Sequence, residues 1–333
     1  MKKFLTVILS LILCFGTTFA FGCSPATTPT YSFMVPDGAP ALAVAKMISD
    51  GDGLGLDRAV SYSVIKAEQV SPNLSSGKPD IMVAPVNLAS KLYKSHNYVM
   101  VAVLTHGNFY IVSTTEISVN DLVGKQIAVP NMGAVPDWTL KMVLSSRDLS
   151  FVNVLETGAN DPSKVNIKYY TEGKDVVSAI MGGSQTIGLV PEPAASNLEK
   201  KYCSVKGQSL YRLDLQELYD SQEKAYSQAV LMVKKSLLDA NPELVNTLED
   251  KITQSASWVK NNIGTAVNAI NEKGGATLDA NALTESAIDG CKIYWQSAEN
   301  AKISVKNYIN KIVDIDSNKA TAVSDDFFYS ISD

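Results

Sequence analysis

Any chemistry in this 333-residue chain is done almost without imidazole: His96 and His106 are its two histidines, and neither has an acid or cysteine at metal-ligand spacing. Asp50, Asp52 and Gly55 in DGDGLGLD fall at calcium-loop offsets, but the fifth loop position is Leu54 and the twelfth Ser61, where oxygen ligands are required. Neither a phosphate-cradling GxxxxGK[ST], a GxGxxG nor a GxSxG elbow occurs, and SGKPD precedes a strand instead of opening a helix. The acids form no distinctive catalytic couple. Metal, cofactor and enzyme are therefore all expected to be none. What remains is recognition by hydrogen bonding, and two stiff corners carry it: VPDGAPAL, residues 35–42, and VPNMGAVPDW, residues 129–138.

Each corner joins the carboxyl end of an apolar run to a helical stretch. The first turn of a helix leaves backbone N–H groups unpaired at its positive end, and open α/β sheets bind ligands beyond the carboxyl ends of their strands. Gly38 and Gly133 let a ligand approach the backbone, while Pro40 and Pro136 set the direction into the helix. Asp37 and Asp137 either cap a helix or meet a ligand N–H. APVNLAS and VPEPAAS supply two further strand ends marked by proline. Thr105, His106, Gly107 and Asn108 follow another strand end, where His106 is either a hydrogen-bonding partner or a structural histidine.

The elements that must hold these corners read as two cycles. Residues 31–35 (YSFMV) predict a strand, 41–49 (ALAVAKMIS) a helix, 59–65 (AVSYSVI) a strand, then a helix to about Leu74 and a strand at 81–86 (IMVAPV). The second cycle gives strand KQIAV, helix WTLKMVLSSR, strand NIKYYT, helix DVVSAIM and strand IGLVPE, repeating the landmarks in order. This is an α/β pattern with mainly parallel sheets. AVLMVKK predicts one more strand and Pro242 suits the first turn of a helix. More helical segments reach Asn310. The chain is expected to return to its first lobe, so that crossings near 113–118 and 210–228 make a hinge.

With 46% hydrophobic and 19% charged residues, the composition is globular and long enough for about two domains. MKKFLTVILSLILCF followed by GTTFAFGC has the charged, apolar and small-residue regions of a secretory leader, expected at residues 1–22. Without Lys2 and Lys3, 27 basic residues face 34 acidic ones, a balance of −7 that argues against nucleic acid. Residues 23–30, rich in Pro, Thr and Ser, make a flexible tether. Cys203 and Cys291 form neither a metal set nor a disulfide framework, and are either buried thiols or a pair.

Taken in order, VPDGAPALAVAK, GKPDIMVAPVNLASKLY, DLVGKQIAVPNMGAVPDWTLKMVL, GLVPEPAAS and AVLMVKKSLLDANPELV resemble the NMT1/THI5-like and SsuA-like solute-binding proteins of bacterial ABC importers, over roughly residues 31 to 250. Gly22-Cys23 resembles a lipobox, with Ala20 and Phe21 departing from its usual residues; Cys23 would then be lipidated, and ordinary cleavage is the alternative. The resemblance implies a type II periplasmic-binding-protein-like fold: two α/β lobes, 31–112 plus 213–333 and 113–212, joined by a double-crossover hinge. It implies a monomer outside the cytoplasm, held to the membrane only by a lipid, that closes on a small-molecule ligand and presents it to an ABC permease. Matching positions imply ligand contacts from Asp37, Gly38, Ala39, Asn87, Leu88, Ala89, Asn131, Met132, Gly133, Ala134 and Glu192. Nitrate, sulfonate, taurine and thiamine-pyrimidine binders share the pattern. The three arginines, Arg58, Arg147 and Arg212, stand in no corner, whereas Asp37, Asp137, Glu192 and Trp138 suit a flat heterocycle with N–H donors stacked on an aromatic ring, unless Trp138 faces its own core. A thiamine-pyrimidine or other vitamin precursor is thus the favoured ligand. The alternatives are a sulfonate, taurine or nitrate carrier, a sensory binding protein, or a pyrimidine-forming enzyme, which would require a cysteine-rich iron motif.

Overall fold

The computed structural model describes residues 30–330 apart from Ser221 and Glu223; the leader, Cys23 and all of the tether but Thr30 lie outside the described residues. The described residues form twelve strands in order: β1 (Tyr31–Pro36), β2 (Val60–Ile65), β3 (Ile81–Pro85), β4 (Tyr98–Thr105), β5 (Phe109–Ser113), β6 (Gln126–Pro130), β7 (Phe151–Asn153), β8 (Val165–Tyr170), β9 (Ile187–Pro191), β10 (Tyr211–Asp214), β11 (Ala229–Lys234) and β12 (Ile293–Ser297). They form two six-stranded sheets, ordered β12-β4-β11-β3-β1-β2 and β10-β5-β9-β6-β8-β7. Both are mixed: β1 runs parallel to β2 and β3 while β11 opposes β3 and β4, and β6 runs parallel to β8 and β9 while β5 opposes β9.

Strands covered on both faces read as continuous apolar runs, because a period of two sends alternate residues into different cores. In β1, β3 and β11, Phe33, Val35, Ile81, Val83, Leu231 and Val233 enter one core, and Met34, Met82, Ala84, Val230 and Met232 the other. The second sheet divides likewise, with Ile111, Ile127 and Leu189 on one face and Val112, Ala128 and Val190 on its reverse.

The sheets are joined by chain leaving β4 at Thr105 and entering β5 at Phe109, and by a return between Asp214 and Ala229. The first crossing is at 106–108 and not near 113–118 as expected, because β5 pairs with β9 and β10 in the second sheet; the return, at 215–228, falls within the expected 210–228. Extended chain covers at most about 3.6 Å per residue, so the first link keeps the carboxyl end of β4 within about 15 Å of the start of β5. The start of β5 pairs with Pro191, the carboxyl end of β9.

Three expectations change. The predicted helix 41–49 is two short helices, Ala39–Ala43 and Ala45–Asp50, divided at Val44. Pro242 precedes the helix Leu244–Asn261 instead of lying in its first turn, and the region expected to be helical up to Asn310 contains edge strand β12 before the long helix Ala298–Ile315. Cys203 is exposed and Cys291 buried, and the two are not bonded.

Candidate ligand-binding site

The proline-marked corners lie at the carboxyl ends of β1, β3, β6 and β9. Hydrogen bonds gather first-sheet strand ends around the two crossings: Val86 N donates to Gln228 O (3.1 Å), Gln228 N to Thr105 O (3.0 Å) and Tyr226 N to His106 O (3.2 Å). Across the link, Glu192 N donates to Asn108 O (2.7 Å) and Asn108 Nδ2 to Glu192 O (2.8 Å), so a strand end of the second sheet is tied to the crossing itself. Phe109 N donates to the buried Gln216 Oε1 (3.0 Å), which adds the return crossing to the same knot.

Buried polar atoms without a hydrogen-bond partner concentrate at this junction. Among the described residues they include Asn87 Oδ1, Thr105 Oγ1, Asn108 Oδ1 and Gln228 Oε1, on backbone stretches that the bonds above place side by side. An unmet buried donor or acceptor costs about 1–3 kcal/mol, so such atoms mark places where a polar partner gains most.

Several predicted contacts have internal partners instead. Asp37 accepts from Gly38 N (2.8 Å) and from Ala276 N and Thr277 N (2.7 and 2.9 Å), tying the first corner to the loop after helix Ile263–Glu272. Asp137 is fully buried and accepts from Gly133 N (2.8 Å), Tyr169 OH (2.9 Å) and Lys141 Nζ (3.0 Å). Trp138 is corrected from a stacking surface to a core residue: it is 3% exposed, lies in the core that also holds Val135, Met142, Tyr226 and Tyr308, and its Nε1 donates to Gly133 O (2.9 Å). The cause is the helix Val135–Ser145, which is buried on two sides; Leu140, Val143 and Leu144 face the second-sheet core, while Val135, Trp138 and Met142 face helix Ala298–Ile315. There Thr139 Oγ1 lies 2.5 Å from Tyr308 OH.

Glu192 pairs with Arg212 and accepts from Ser196 Oγ (2.7 Å) and Ser196 N (3.0 Å). Arg212 therefore does stand in a corner, which twenty residues of separation conceal in the sequence. Ala39 and Ala89 lie in the cores and Leu88 packs against one, so their side chains are not free for a ligand. Asn131 and Met132 are exposed, and Gly133 and Ala134 are half-buried.

His106 is 2% exposed, stacked on Tyr294 with ring centroids 3.5 Å apart, and within reach of Gln296 Oε1 (3.3 Å) and Lys292 O (3.4 Å). Burial pushes its pKa down to about 4, against the two hydrogen bonds, which act in the opposite direction. The unfolded chain binds a proton near pH 6.5 that the folded chain refuses, so this stability is whole above pH 6.5 and is lost as pH falls toward 4, on the order of 3 kcal/mol. His106→Gln should flatten the dependence of unfolding free energy on pH across that window; an unchanged slope in denaturant titrations would show that His106 is not the group responsible.

Together, the two mixed six-stranded sheets and the two crossings that join them make a two-sheet α/β architecture with proline-marked corners at four strand ends. No protein-family model matches the sequence, and no curated protein matches it. Among solved structures, an ABC transporter protein from Parabacteroides distasonis has the same fold with a TM-score of 0.73 and 19% identity, over 91% of this chain and 99% of that one. The periplasmic aliphatic sulphonate binding protein SsuA from Escherichia coli gives 0.62 and 13%, over 90% and 96%. A ligand-binding component of an ABC-type import system from Staphylococcus aureus, with zinc bound, gives 0.58 and 12%, over 90% and 96%. Among the described residues here, no group of His, Cys, Asp and Glu is placed to hold a metal ion, and no helix is long and apolar enough to cross a membrane.

Proposed function

We propose that this protein is the extracytoplasmic solute-binding component of an ABC importer, capturing one small organic molecule between its lobes by hinge closure. The observation that carries this reading is the junction: strand ends of both sheets meet at a link of three residues, and unpaired buried polar atoms of Asn87, Thr105, Asn108 and Gln228 collect there. Closure buries a ligand only as far as the ligand prefers the closed form, and such unpaired groups supply that preference. In this reading Cys23 carries a lipid anchor, the chain acts as a monomer, and the membrane permease is its partner. Its ligand contacts come from the backbone at Gly38 and Gly133 and from Asn87, Thr105 and Asn108.

The heterocyclic ligand loses its main support, since Asp37, Asp137, Glu192 and Trp138 are committed to partners within the protein. A small polar molecule with hydrogen-bond donors fits the unpaired acceptors better. Calorimetric titration with aminopyrimidines, organic sulfonates and nitrate, paired with small-angle scattering, tests the reading. The expected result is saturable binding of one class with a fall in the radius of gyration. Binding with no compaction would contradict capture by closure.

A further inference from the structure

The segment that follows helix Ala298–Ile315 crosses the helix Val86–Leu92 and is pinned there. Asn87 Nδ2 donates to Lys319 O (3.3 Å), Lys91 Nζ to Asn318 O (2.5 Å) and Thr321 N to Ser90 Oγ (3.2 Å), and Ala320 beside them is buried. With its backbone held on the first lobe, Lys319 sends its side chain to the second: a Cβ built at Gly133 would lie 3.7 Å from both its Cε and its Nζ. The chain thus places an ammonium group at the corner that opens helix Val135–Ser145, whose positive end favours the same sign of ligand charge. Other basic groups at the corners are already paired, Lys141 with Asp137 and Arg212 with Glu192, whereas Lys319 forms no ion pair among the described residues. Asn87, only 3% exposed, holds Lys319 through its Nδ2 while its Oδ1 has no partner.

We propose that Lys319 and Asn87 form one recognition pair, Lys319 binding an anionic group of the ligand and Asn87 Oδ1 accepting from an N–H or O–H of the same molecule. This rests on the importer reading and deepens it: the ligand class becomes a small organic acid that carries a hydrogen-bond donor. A charged hydrogen bond outweighs a neutral one and an ammonium is a strongly hydrated point charge, so Lys319 acts where closure removes water.

Three matched probes separate the two halves of the claim: taurine has both groups, ethanesulfonate only the anion and ethanolamine only the donor end. Titration of the full chain should show taurine bound most tightly, ethanesulfonate more weakly and ethanolamine weakest. Lys319→Gln should weaken taurine by about tenfold or more, with Lys319→Arg restoring much of the loss. Because Lys319 is exposed and has no ion pair, thermal unfolding of Lys319→Gln should match the wild type, which keeps a binding loss distinct from misfolding. Unchanged taurine affinity in Lys319→Gln overturns the proposal, as does a wild type that prefers ethanolamine. Failure of all three probes with compaction on an uncharged solute overturns the role of Lys319 and leaves the importer reading standing. A chain that binds no solute of any class removes both.

Discussion

Asp137→Ala is expected to lower the free energy of unfolding by about 3–5 kcal/mol, the usual cost of removing one partner of a buried ion pair. Asp137 is fully buried, and one substitution strips Gly133 N, Tyr169 OH and the nearly buried Lys141 of their acceptor. Lys141 also lies over the Trp138 ring, 4.3 Å from its centroid, and the ring cannot replace a carboxylate as counter-charge. Asp137→Asn should fall between wild type and alanine, since an amide keeps one acceptor and leaves the ammonium unpaired. Adding Lys141→Met to Asp137→Ala should recover part of the loss, because an apolar replacement of both partners leaves no buried charge. Denaturant unfolding measures all four proteins. A loss below about 0.5 kcal/mol for Asp137→Ala would mean that the carboxylate does not organise the second corner.

Gly107→Ala should be comparably severe and should reach binding directly. Gly107 has φ +80 in the middle of the three-residue link, and an added Cβ would come 2.5 Å from Tyr226 Cε1 and 2.8 Å from Gln216 Cγ. The left-handed backbone alone costs about 1–2 kcal/mol with a side chain, and overpacking adds about 1–3 kcal/mol. Tyr226 has little room to yield: it is buried, stacked on Tyr308 at 5.7 Å and edge-on to Tyr219 at 5.9 Å. The expected result is a matching stability loss together with weaker solute binding and a smaller change in radius of gyration on titration. A Gly107→Ala protein of wild-type stability that still compacts fully would show that the link does not form the hinge.

Strands of the central kind were legible because burial on both faces leaves runs such as IMVAPV and AVLMVKK with few polar interruptions. Edge strand β2 was legible too, but edge strands β7 and β12 were not: β7 has three residues, none fully buried, and β12 is half-exposed, so neither carries a distinctive pattern. The four corners could be found because proline and glycine punctuate the chain for local reasons. What fills them could not, because the partners come from far along the sequence. Asp37 is held by Ala276 and Thr277, Glu192 by Arg212, and Gly133 is met by Lys319. Trp138 and Asp137 suited a ligand on residue type alone; only the packing of their helix against Tyr308 on one side and the second-sheet core on the other assigns them inward. Asp37, open as cap or ligand partner, has become a tie between the first corner and a loop some 240 residues away.

On the importer reading, the junction of the two sheets holds one small molecule. Native mass spectrometry of the protein purified without refolding from its own host tests it most directly. The expected species is heavier than the bare chain by one small organic acid bearing an N–H or O–H, released on acid denaturation and depleted in Lys319→Gln. A retained molecule equally abundant in wild type, Lys319→Gln and Gly107→Ala would place binding away from the junction and contradict it.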